Sequence, residues 1–288
     1  TEVLPIMSQE LWATELLGRV RKGSIQSVNR IDTIFANLRA GNRKALMPFV
    51  VAGFPNPHML AATLQSLQNA GSSIVEIGIP FSDPIADGPV ISQAMHHALQ
   101  QGATPDAILQ EVAAIRAKLT IGIVAMVSVS IVQRQGNEKF VHALADAGFD
   151  GIIIPDLDLD CAAPLFAAAQ ARGMSMSMLI SPLTPPERMK KIVALCRGFV
   201  YLLSRAGITG AQTGAPEVAE FVKRVRAHTT LPLAVGFGIS TPEHVRAVVR
   251  HADAAIVGSA LVKLMAGDNS KEAVARAEKL TLELASAL

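Results

Sequence analysis

The sequence predicts an α/β protein, a single-domain (β/α)8 TIM barrel with an extra N-terminal helix. Three observations carry this reading. Eight short apolar runs recur at similar intervals along the chain. Segments of helical periodicity separate them, which points to parallel strands covered by helices on their outer face. Several helices end in glycine and pass at once into the next run, as at Asn69-Ala70-Gly71, Asp146-Ala147-Gly148 and Ala171-Arg172-Gly173. Eight such units in a chain of this length match a closed barrel. A doubly wound open sheet is the alternative.

The elements follow in order. Residues 1–27 read as an N-terminal extension, part of it an expression remnant, and residues 28–288 as the barrel. Ile31, Ile34, Phe35 and Leu38 have helical spacing, so Asn29–Ala40 is an opening helix that covers one end of the domain. The predicted strands are Ala45–Ala52, Ile74–Ile79, Ile121–Val127, Gly151–Pro155, Ser175–Ile180, Phe199–Leu203, Leu231–Val235 and Ala254–Gly258. The predicted helices between them are Met59–Ala70, Val90–Gln101 with Pro105–Lys118, Glu138–Ala147, Ala162–Ala171, Pro186–Leu195, Pro216–His228 and Pro242–His251. A last helix spans Lys271–Ala287.

Composition narrows the function classes. The chain has 288 residues, half of them hydrophobic, and a net charge of +2. That supports a large core and gives no electrostatic ground for a nucleic-acid or membrane partner. Cys161 and Cys196 stand in unrelated contexts, read as reduced thiols of a cytoplasmic protein, and form no metal-ligand pattern. His96-His97 has no third ligand at a metal-site spacing and reads as a surface pair. No metal is expected.

One stretch concentrates the chemistry: Ile74 to Pro89, IVEIGIPFSDPIADGP. Glu76 lies inside an apolar strand, where a carboxylate is costly unless it is paired or has a task. Asp87 follows in the loop after that strand. In a barrel both belong to the C-terminal face, where catalytic groups gather. Two carboxyl groups in unlike surroundings can move protons in both directions. The plainer alternative makes Glu76 half of an ion pair and leaves Asp83 and Asp87 as turn formers.

Glycine and small residues follow the last three strands, at Ser204–Ala211, Gly236–Ser240 and Val257–Ala260. Glycine lets backbone N–H groups approach an anion, and barrels hold phosphate at the loops after strands 7 and 8. A phosphorylated small molecule is the expected ligand. Residues 207–214 lack bulky anchors and read as a lid whose closing brings Thr209 near the carboxylates.

With these residues in hand, the chain resembles the tryptophan synthase alpha subunit family from about Asn29 to Lys263. The stretch EIGIPFSDPIADG from Glu76 is close to that family's signature. PFVVAGFP from Pro48, YLLSRAGITGA from Tyr201, GFGIS from Gly236 and VGSALVK from Val257 fall at the family's places. The resemblance implies reversible retro-aldol cleavage of indole-3-glycerol phosphate to indole and glyceraldehyde 3-phosphate. It implies Glu76 and Asp87 as catalytic, and Phe49 and Ile91 as lining the indole pocket. Tyr201 lies near the substrate by this reading, Thr209 in the closing loop, and Gly210, Gly238, Gly258 and Ser259 at the phosphate. Burial raises the pKa of Glu76, while Asp87 stays charged in a more polar loop. The alpha subunit itself needs no cofactor. It docks on a pyridoxal-phosphate beta subunit in an alpha2beta2 assembly, with Asp83 and Pro84 facing that partner.

The chain departs from the family in two places. Met126-Val127-Ser128-Val129-Ser130 replaces a stretch resembling Tyr-Tyr-Asn-Pro that packs the indole pocket, and Asp158 stands where proline is usual. Neither touches Glu76, Asp87 or the phosphate glycines. Three rivals stand beside the main reading: a free-standing lyase, a non-catalytic subunit that only activates its beta partner, and another phosphosugar enzyme of the same fold. The last wants a Schiff-base lysine or a metal cluster at strand ends, and no lysine falls within the predicted strands.

Overall fold

The computed structural model describes residues 29–84, 87–204, 218–236, 238–267 and 270–288. Its strands are β1 (Ala45–Val51), β2 (Ile74–Gly78), β3 (Gly122–Met126), β4 (Gly151–Ile153), β5 (Ser175–Ser177), β6 (Leu179–Ile180), β7 (Val200–Leu203), β8 (Leu233–Gly236) and β9 (Ala254–Val257). Every pairing is parallel, and the order β5-β4-β3-β2-β1-β9-β8-β7-β6 runs round a ring. The predicted fifth strand is in fact two. The Met178 N–H turns to Cys196 Sγ at 3.4 Å, so the ladder breaks between β5 and β6. The Met178 carbonyl still accepts from Tyr201 N at 3.2 Å, which carries the ring across the break.

The helices are α1 (Arg30–Ala40), α2 (Leu60–Asn69), α3 (Pro89–Gln100), α4 (Pro105–Ile115), α5 (Val129–Gln135), α6 (Asn137–Asp146) and α7 (Ala162–Ala171), then α8 (Pro186–Ala194), α9 (Ala219–Arg226), α10 (Pro242–Val249), α11 (Ser259–Met265) and α12 (Ser270–Ala285). Two of them, α5 and α11, were not expected. Each is only seven residues long, too short for its periodicity to stand out.

Strand alternation divides the core in two. Leu46, Val50, Val75, Ile77 and Ile123 face outward and pack under the helices. Met47, Val124, Ile153, Tyr201, Ala234 and Ile256 face inward and fill the barrel. The lower end is plugged by α1, whose Ile31, Phe35 and Leu38 belong to the inner cluster. Ile31 fits because the rim above it is glycine: a Cβ on Gly151 or Gly198 would stand 3.2 Å from its side chain. Asn29 caps α1, its Oδ1 accepting from Ile31 N at 2.7 Å. Its Nδ2 donates to the carbonyls of Asp150 and Gly173, tying the plug to the approaches of β4 and β5.

Candidate active site

Glu76 sits at the centre of β2, opposite Phe49 on one side and Val124 on the other. The pleat turns it into the barrel, where its neighbours in register are apolar. It is 0% exposed, and neither carboxyl oxygen has a hydrogen-bond partner among the described residues. Burial pushes its pKa well above the ordinary carboxylate range, which favours the protonated form.

Asp87 lies in the loop after β2, one residue before Gly88, the N-cap of α3. Its N–H donates to the Pro84 carbonyl at 3.0 Å, and its carbonyl accepts from Ser92 Oγ at 3.2 Å. The backbone is therefore fixed while the carboxylate is left for other work. The loop is less polar than its sequence indicates: burial raises the Asp87 carboxyl from 3.8 to about 6. Asp87 remains mostly ionised at pH 7, but by a smaller margin than a surface aspartate.

Tyr201 connects the two acids. It faces inward from β7 and is 5% exposed. Burial raises its phenol well above the usual value, and the charges of Glu76 and then Asp87 raise it further. Both acids thus bear on one hydroxyl inside the barrel. Room for the Tyr201 ring comes from Gly236 across β8, whose missing side chain leaves the space that the hydroxyl fills.

Phe49 and Ile91 share one apolar cluster with Val51, Met95 and Val262 above Glu76, beside the first turn of α3. Gly78, two residues beyond Glu76 on the same face, makes way for the Phe49 ring. Met126 ends β3 opposite Gly78 and packs against both this cluster and the one that holds Tyr201. Sequence reasoning passed over Gly78, and it placed Met126 in the altered stretch by the indole pocket and Gly236 at the phosphate end without finding their packing roles. Counting in twos from Glu76 finds Gly78, but the other two need the strand register.

The small residues gather at the same end. Gly238 follows β8 with φ +75°, a conformation that suits glycine. Gly258 ends β9 as the N-cap of α11, and Ser259 opens that helix. A first helical turn presents N–H groups without intrahelical acceptors. Thr209, Gly210, Arg205, Phe237 and the expected lid lie outside the described residues, as does the N-terminal extension. Asp83 is exposed, its Oδ2 accepting from Ser82 Oγ at 2.7 Å, and Pro84 is half-buried.

The remaining candidates have local roles. His97 Nε2 donates to the Pro55 carbonyl at 2.8 Å and stands edge-on to Phe54, while His96 pairs with Gln100. Among the described residues no three His, Cys, Asp or Glu side chains are grouped to hold a metal ion. The altered stretch after β3 caps α5: Ser128 Oγ donates to Asp156 Oδ2 at 2.7 Å, and Val129 N donates to Asp156 Oδ1 at 2.8 Å. Asp158 accepts from Asp160 N and opens a short 3-10 turn, a task its side chain does as a cap.

Known proteins match this chain over most of its length. The family model described as tryptophan synthase alpha chain matches residues 35–288. The tryptophan synthase alpha chain of Chloroflexus aggregans is 44% identical over 262 residues, covering 90% of this chain and 98% of that one. That of Prochlorococcus marinus is 43% identical over 238 residues, covering 82% and 86%. Among solved structures, Mycobacterium tuberculosis tryptophan synthase superposes with a TM-score of 0.83 at 35% identity, covering 91% of this chain and 98% of that one. The alpha subunit from Legionella pneumophila gives 0.83 at 32% identity, covering 91% and 98%. This chain belongs to the tryptophan synthase alpha chain family.

Proposed function

We propose that the chain catalyses the alpha reaction of tryptophan biosynthesis, the reversible cleavage of indole-3-glycerol phosphate to indole and glyceraldehyde 3-phosphate. One observation carries the assignment of roles: Glu76, buried without a hydrogen-bond partner among the described residues and with its pKa raised by burial, and Asp87 both act on the Tyr201 hydroxyl inside the barrel.

The bond between the indole ring and the glycerol chain breaks readily only when ring carbon 3 is protonated. Glu76 supplies that proton. The ring nitrogen becomes cationic, and Asp87 stabilises it through the N–H. The carboxylate left on Glu76 stands in apolar surroundings and is therefore a strong base. It takes the proton of the hydroxyl next to the scissile bond. The oxygen becomes the aldehyde, the carbon–carbon pair returns to the ring, and Glu76 regains its starting state. Phe49 and Ile91 hold the ring, and backbone N–H groups at Gly238, Gly258 and Ser259 hold the phosphate.

The scheme needs no metal or organic cofactor in this chain. We place Asp83 and Pro84 against a beta subunit that carries pyridoxal phosphate, in an alpha2beta2 assembly. Pro84 shares a hydrogen bond with Asp87, so the partner-facing turn and the catalytic loop are one unit. A cytoplasmic setting fits two free cysteines and the absence, among the described residues, of any helix long and apolar enough to cross a membrane.

The test is indole release from indole-3-glycerol phosphate, with and without a beta subunit. Turnover that rises on adding the beta subunit and collapses in Glu76→Gln is the expected result. Full turnover that ignores the partner supports a free-standing lyase. Activation of the partner without any cleavage supports a non-catalytic subunit.

A further inference from the structure

The lower rim carries the same brace twice. Arg116 donates to the Ile121 carbonyl at 3.1 Å and to Asp150 Oδ2 at 3.0 Å. That oxygen also accepts from Ile123 N at 2.8 Å. Half a barrel further on, Arg226 donates to the Leu231 carbonyl at 2.7 Å and to Asp253 Oδ2. That oxygen accepts from Leu233 N, again at 2.8 Å. Arg116, Ile121 and Ile123 therefore map onto Arg226, Leu231 and Leu233 at one constant offset along the chain.

Strand registers repeat with the brace. Val124 stands opposite Gly151 as Ala234 stands opposite Ala254. Glu76 stands opposite Val124 as Tyr201 stands opposite Ala234, so the buried acid and the buried phenol are counterparts. From Asp150 onward the offset shortens by the length of α5, seven residues that the second half lacks. Carried up to the mouth, the mapping places Ser128 on Gly238, Pro155 on Gly258 and Asp156 on Ser259.

We infer that the barrel is made of two equivalent halves, and that Asp156 is the positioning residue that makes them unequal at the mouth. In the second half the mapped positions are the small residues given to the phosphate. In the first, the Asp156 carboxylate spans them itself, taking the Ser128 hydroxyl at 2.7 Å and the Val129 N–H at 2.8 Å. These bonds close the first-half loop on its own side chain, so the Val129 N–H is already taken and does not serve a phosphate there. The substrate then has one orientation, with its phosphate in the second half and its ring in the first. Asp156 touches no reacting atom. It acts through Ser128 and Val129 on the end of β3, where Met126 borders both the Phe49 and the Tyr201 clusters.

This inference rests on the proposed function, and the experiment separates the two. The full chain is assayed with indole-3-glycerol phosphate as wild type, Asp156→Ala and Asp156→Asn. We expect Asp156→Ala to raise KM about tenfold while kcat stays within about threefold, because ground-state placement is what is lost. Asp156→Asn keeps the acceptor for Val129 N and should recover KM to within about threefold of wild type. Asp156 is exposed, so the melting temperature should fall by only about 3 °C, the cost of a helix cap. A melting shift with no change in KM, or a fall in kcat at constant KM, overturns the positioning role. Wild-type enzyme that leaves the substrate intact overturns the proposed function and takes this inference with it.

Discussion

A Cβ placed on Gly78 would stand 2.6 Å from Cζ of Phe49 and 3.3 Å from Cε of Met95. The aromatic wall of the candidate site therefore exists only because a glycine faces it. Gly78→Ala should force the Phe49 ring out of position at a cost of about 1–3 kcal/mol in stability. It should also raise KM for indole-3-glycerol phosphate about tenfold. Denaturant melts and steady-state kinetics on one preparation check both.

Glu76→Gln keeps shape and removes the proton. The expected loss in kcat is about 10²–10⁴-fold, the usual size of acid–base catalysis. KM should change little. A variant that still releases indole at the wild-type rate would remove Glu76 from the mechanism.

The two raised carboxyls set the pH dependence. Cleavage needs Asp87 ionised and Glu76 protonated, so the rate should fall below about pH 6 as Asp87 takes up a proton. It should fall again as pH rises further and Glu76 loses its own, at a pH raised by burial. Stability runs with the opposite sign at the acid side. Between about pH 4 and pH 6 the unfolded chain has lost the Asp87 proton while the folded one keeps it, so stability falls as pH rises through that window. Asp87→Asn should flatten this part of the stability profile, and pH-dependent melts read it directly.

The repeated brace makes a graded prediction. Arg116 and Asp150 are each 14% exposed, whereas Arg226 and Asp253 are 35% and 22%. Arg116→Ala leaves the more buried carboxylate with only the more exposed Arg30 as an ion-pair partner among the described residues, and should cost about 2 kcal/mol. Arg226→Ala should cost less. Equal losses in urea unfolding would contradict the ranking.

Asp83→Lys tests the partner face. Stimulation of indole release by the beta subunit should drop about tenfold while the melting temperature of the isolated chain stays unchanged, since the side chain is exposed and its hydrogen bond is to the neighbouring Ser82.

The barrel was legible because its strands are buried on both faces and so read as continuous apolar runs. Glu76 was legible for the complementary reason, a charge in such a run. The break at Met178 was not, because it depends on where the Cys196 sulfur comes to lie. The packing roles of Gly236 and Met126 escaped notice because they are relational, one yielding to Tyr201 and the other bridging two clusters. The raised Asp87 carboxyl was missed as well: proline, serine and glycine around it look hydrophilic, yet Asp87 itself is half-buried.

With Ile31, Phe35 and Leu38 wedged into its floor, the cylinder is a blind well and not a tube. A hydron lost from Glu76 to solvent can be replaced only from above. Whatever lowers a cover over the opening therefore also commits that hydron to the indole carbon, and exchange with the bulk should stop whenever the well is shut.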